Sequence, residues 1–147
     1  MNSFSVTRIL NAPRELVFRA WTEPQHLTWF FNPGHPTDVP TTVDLRPGGS
    51  WRQHMVIDDE TDYITGGIYL QVVPPERLVF AFGAVGGWPE LDPEHPENGP
   101  IATVTLIELD ANTTEMTASL VVPETHFHPY MEQGWTDTLD RLVAALA

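Results

Sequence analysis

The chain contains no cysteine and no lysine. The first absence excludes disulfides, thiolate metal sites and a thiol nucleophile together. The second removes any lysine amine for Schiff-base chemistry. Basic charge is scarce in any case, because seven Arg face twenty Asp and Glu, for a net charge of −13. Such a balance repels phosphate backbones and anionic lipid surfaces, so neither nucleic acid nor a membrane is an expected partner. It fits a solubilising acidic surface or, more narrowly, attraction to a basic partner protein. Also missing is any apolar run near the roughly 20 residues of a membrane span. The opening residues, Met1 to Arg8, lack the basic-then-apolar order of a secretory signal. A cytoplasmic location is the expectation. Nucleotide-cradling glycine motifs and the Gly-x-Ser-x-Gly turn of serine hydrolases are absent as well.

What is present is ordinary globular composition. The 147 residues are 41% hydrophobic, with five Trp, seven Phe and three Tyr. That length suits one domain, residues 1–147, with a sizeable core. No internal repeat or low-complexity linker divides it.

Phe4 to Leu10 alternates as a strand does. Asn11 and Pro13 then suit the cap and first turn of a helix with Leu16, Val17, Ala20 and Trp21 on its buried face. Pro24 breaks that helix and opens a second short one through Phe30. Six strands follow. They are Thr41–Leu45, Ser50–Ile57, Tyr63–Val73, Leu78–Gly83, Ile101–Leu109 and Met116–Val122, with turns at Arg46–Gly49 and Pro74–Arg77. The third is expected to bulge or bend at Gly66-Gly67 as the sheet curves. Between the fourth and fifth lies an insertion, Ala84 to Pro100, long enough to be functional. The last stretch, Glu124 to Ala147, repeats apolar residues at Phe127, Met131, Trp135, Leu139, Leu142, Val143 and Leu146. This three-and-four spacing predicts one long helix with a buried stripe. Helices at the two ends of a run of antiparallel strands read as α+β.

Four blocks carry a resemblance. Asn11-Ala12-Pro13-Arg14-Glu15-Leu16-Val17-Phe18-Arg19-Ala20-Trp21-Thr22-Glu23-Pro24 resembles the opening signature of the activator of Hsp90 ATPase homologue 1-like family. Asp44 to Arg52, Pro74 to Phe80, and Gly134-Trp135 with Leu139 to Leu142 resemble its later signatures, in the family's order. The resemblance implies a START/Bet v 1-like helix-grip fold. In it a curved antiparallel sheet wraps a long C-terminal helix, two short helices follow strand one, and a cavity lies between sheet and helix. It also implies a binding protein for a small hydrophobic molecule, with no cofactor. The eukaryotic co-chaperone that lends the family its name has a further domain that is not present here.

The candidate cavity residues are Trp29, His54, Tyr69, Phe80, Phe82, Trp88, His126, Met131 and Trp135. For each aromatic residue two readings stand, core packing or cavity wall. Trp88 sits among Gly and Pro, which suits a lid. Gly134 before Trp135 suits close approach of a backbone or ligand. His54 or His126 suits a polar anchor better than a metal ligand, because His126 and His128 point apart on a helix and no thiolate assists. An enzyme of cyclase or hydrolase type, using a cavity His or carboxylate, is the first alternative function. A co-chaperone-like or stress-related interaction protein is the second. A homodimer formed through sheet edges is the expected assembly.

Overall fold

The computed structural model describes residues 2–23, 41–56, 59–86, 90–124 and 131–146. Seven strands and two helices build it. In chain order they are β1 (Asn2–Leu10), α1 (Arg14–Thr22), β2 (Thr42–Val43), β3 (Ser50–Val56), β4 (Asp62–Val73), β5 (Arg77–Phe82), β6 (Ile101–Asp110), β7 (Thr113–Val122) and α2 (Met131–Ala145). The strands form one antiparallel sheet in the order β1-β7-β6-β5-β4-β3-β2. The first strand thus pairs with the last, and the remainder is a meander.

Alternation gives the sheet one dry face. Val6 and Leu10, Leu78 and Phe80, Val104 and Leu106, and Met116 and Leu120 are all buried. They share a core cluster with Val17 and Trp21 of α1 and with Leu139 and Leu142 of α2. Both helices therefore cover the same, concave face. Trp21 donates its indole N–H to Met116 Sδ at 3.3 Å. Its ring lies 6.3 Å from Phe80. At the other end Arg8 of β1 holds Asp140 of α2 at 3.0 Å, a half-exposed pair worth about 1 kcal/mol or less.

Several expectations are corrected in detail. Pro13, not Asn11, caps α1, and its carbonyl accepts the N–H groups of Leu16 and Val17. Leu16 is exposed, and Phe18 takes its place on the buried face. Of the two short helices expected after strand one, the first is α1, and the second falls outside the described residues. The strand expected over Thr41–Leu45 shrinks to two residues. No bulge occurs at Gly66-Gly67; the register slips instead between Tyr69 and Gln71. The glycines answer a different need. A Cβ on Gly67 would lie 2.2 Å from the Ala81 carbonyl oxygen and 2.5 Å from the Trp51 ring. Within the insertion after β5, Leu91 is buried and Pro96–Asn98 forms a short 3₁₀ turn. Within the C-terminal stretch, α2 is described from Met131, and Phe127 falls outside the described residues. Its 15 residues span about 22 Å.

The turn at Arg46–Gly49 follows expectation. Gly48 takes φ +84°, a conformation open to glycine at little cost. Gly48 and Gly49 then bond the backbone of Tyr69 on both sides, at 2.8 and 2.9 Å. Tyr69 is 1% exposed. Burial, and then the nearby Asp44 carboxylate, push its phenol well above the ordinary 10.0. The half-buried Tyr63 is pushed up by burial too.

Two outcomes follow. A neutral phenol is the form this site accepts, so its stabilisation holds below pH 10 and is lost as pH rises beyond it. Alkaline titration followed by circular dichroism should therefore show a higher unfolding midpoint for Tyr69→Phe than for the natural chain. A Cβ built on exposed Gly134 meets no described atom within 4 Å, which removes the expected close approach. Gly134→Ala should raise stability in urea by up to about 1 kcal/mol through helix propensity alone.

Candidate functional site

The concave face is not uniform. From β1 across β7 and β6 its inward residues are mostly apolar, as at Val6, Ala118 and Val104, and the buried Thr114 hydroxyl there is satisfied by the Ala12 carbonyl. On β3 and β4 it becomes aromatic and polar. Trp51, Gln53 and Met55 point inward from β3 by alternation, opposite Gly67, Thr65 and Tyr63 of β4. Gln53 is 1% exposed and Thr65 is 6% exposed. Trp51 donates its indole N–H to Gln53 Oε1 at 3.1 Å. The hydroxyl of Thr65 is buried and has no hydrogen-bond partner among the described residues. A hydroxyl in that state costs about 1–3 kcal/mol, which native chains retain where a polar group is needed.

Aromatic rings share the face with this polar pair, and Trp51 touches it through Gln53. Trp51 packs edge-on to Phe80 at 4.8 Å and tilts against Tyr69 at 5.6 Å. Trp135 of α2 meets Phe82 of β5 edge-on at 5.3 Å. Of the nine candidate residues, Tyr69, Phe80, Phe82, Met131 and Trp135 are buried together in one cluster. Trp29, Trp88 and His126 fall outside the described residues. His54 stands apart from the cluster. Its strand alternates Trp51, Gln53 and Met55 inward, so His54 lies on the convex side. There its Nε2 pairs with Asp62 Oδ2 at 2.5 Å. The expectation of a cavity histidine at this position is corrected by that geometry.

Gln53 and Thr65 were not singled out from the sequence. The signal was available, since Trp-x-Gln-x-Met puts a polar side chain into an otherwise apolar strand face. A polar residue inside such a set is more informative than a histidine beside it.

On the convex side, a half-open pocket of about 120 Å³ lies between the sheet and the loop after β5. Ser50, Arg52, Ile68, Val85 and Leu91 are among its walls. Arg52 donates to the Val85 carbonyl at 3.2 Å and so helps to hold that loop. Among the described residues no group of three His, Asp or Glu converges as a metal site. No described helix is long and apolar enough to cross a membrane.

Comparisons with known proteins place this arrangement. Protein CV1439 from Chromobacterium violaceum is 24% identical, with a TM-score of 0.73 over 99% of this chain and 98% of its own. Protein Ms6760 from Mycobacterium smegmatis is 21% identical, with a TM-score of 0.74 over 99% and 90%. A protein from Arthrobacter aurescens is 25% identical, with a TM-score of 0.75 over 98% and 85%. These likenesses show the fold. No curated protein matches the chain. The family described as "Activator of Hsp90 ATPase homolog 1-like protein" matches residues 11–147. Over nearly its whole length, then, this curved sheet with its gripping helix belongs to the activator of Hsp90 ATPase homologue 1-like family.

Proposed function

We propose that the protein binds a small, largely apolar molecule carrying one hydrogen-bonding group, held between the β3–β5 end of the sheet and α2. The observation that carries this reading is the Thr65 hydroxyl, buried opposite Gln53 without a partner among the described residues, on a sheet face that also carries aromatic rings. Pockets for small molecules join apolar walls to a few placed polar groups, and this end of the concave face has that composition. Tyr69, Phe80, Phe82, Met131 and Trp135 supply the apolar surface, and Thr65 with Gln53 supplies the anchor. Apolar burial contributes about 25 cal/mol per Å² before ordering costs. The fold and family support a binding role in general terms. The enzyme alternative draws no support from His54, which pairs with Asp62 on the far side of the sheet.

A neutral apolar dye such as N-phenyl-1-naphthylamine tests the reading, because the chain's −13 charge does not repel it. Titration should show saturable uptake with one dye per chain. Trp135→Ala should weaken uptake while circular dichroism still reports the fold. Thr65→Val should leave the dye bound, raise thermal stability by about 1–2 kcal/mol, and weaken apolar alcohols or amides relative to the matching hydrocarbons. Uptake that never saturates, or equal loss of alcohols and hydrocarbons in Thr65→Val, would overturn the proposal.

A further inference from the structure

Both helices lie on the concave face, so the convex face of β1, β7 and β6 is uncovered among the described residues. Its composition departs from the rest of this acidic chain. Ser5, Ser119 and Thr103 lie in register across the three strands. Thr7, Thr117 and Thr105 form the next row. On the other side a row of Ser3, Val121 and Ile101 completes a block of nine positions with no charge. The block is bordered by Ile9 and Ile107, exposed at 50% and 55%, with Glu115 between them. Arg77 of β5 stands beside Thr105. Each copy therefore carries one acid and one base at this border.

Five of the seven hydroxyls in the block are paired within the sheet. Ser5 and Ser119 meet at 2.9 Å, and Thr7 and Thr117 at 3.1 Å. Thr105 donates to the Thr117 carbonyl at 3.4 Å. Covering them leaves fewer polar groups stripped of water than a face of unpaired hydroxyls would, which lowers the cost of burial. Ser and Thr also both donate and accept, so a surface made of them is complementary to itself.

We propose that this face is the contact between two copies of the chain, stacked sheet against sheet about a two-fold axis. Two molecules of net charge −13 repel over most of their surfaces, and the uncharged block is where they approach at least cost. With strands about 4.8 Å apart and about 6.7 Å between successive rows, the block and its border cover roughly 20 by 25 Å. A standard stable interface buries about 800 Å² on each partner. This one is smaller, which fits a weak dimer whose population depends on concentration. The contact is independent of the ligand reading, which uses the opposite face.

Sedimentation equilibrium from about 1 µM to about 1 mM protein covers the relevant affinity range. The mass should climb from the 16.5 kDa of one chain toward twice that value. Added salt should strengthen association, because it screens the like charges. Thr103→Glu should weaken the dimer at least about tenfold by placing an acid at the contact, and Thr103→Val should preserve it. Ser119→Glu serves in the same way if Thr103→Glu does not fold by circular dichroism. A chain that stays monomeric throughout the range overturns the proposal. A dimer that weakens with salt, or one that persists in folded Thr103→Glu or Ser119→Glu, overturns it as well and moves the contact elsewhere, with the edge of β1 the next place to test.

Discussion

A seven-stranded sheet with one apolar face must hide that face from water. Among the described residues the cover consists of a nine-residue α1 and a fifteen-residue α2. Much of the described interior follows from how that face is filled. Large rings occupy the space between sheet and helices. Trp21 reaches Met116, Trp51 stands edge-on to Phe80, and Trp135 reaches Phe82. Where a side chain would obstruct Trp51, glycine appears at Gly67. The turn at Arg46–Gly49 is fastened to Tyr69 by two backbone bonds, which fixes the narrow β2–β3 margin to the body of the sheet.

The filling of the concave face changes from one side of the sheet to the other. Hydrocarbon rows at β1, β7 and β6 lie under α1 and the Leu139–Leu142 half of α2, and they make a dry core. Toward β3 and β4 the lining changes to Trp51, Gln53, Thr65 and Tyr69. A polar pair buried there lowers stability, because a hydroxyl without a partner among the described residues is a standing cost. The dry core and the polar pair lie on different strands of one sheet, and α2 adds Leu139 to the core and packs Trp135 against Phe82 of β5.

Much of this was legible in the sequence because its signals are local. Strand alternation, the Pro and Gly turns and the spacing of Met131, Trp135, Leu139 and Leu142 depend on neighbours a few residues away. The elements they mark are present, with boundaries shifted by a few residues. What was not legible depends on distant partners. Leu16 fits the helical stripe as well as Phe18 does, and only the position of α1 over β6 and β7 decides between them. Gly66-Gly67 resembles a bulge until Trp51 and the Ala81 carbonyl are seen to occupy the space. His54 looked functional by residue type, whereas the parity of its strand sends it outward and brings Gln53 in.

The pairing of the first strand with the last has a consequence for biosynthesis. Asn2 lies opposite Val122, so β1 is made long before its neighbour exists. At roughly 5–20 residues per second, translation takes about 6 to 24 seconds to cover that gap. Through that interval the sheet can grow as a meander from β2 onward, while Val6 and Leu10 wait without a place in it. The nascent chain therefore carries an unpaired apolar strand until β7 has been made. Closure of the fold is a late event, in which β7 accepts β1 and α2 arrives with Asp140 to hold Arg8.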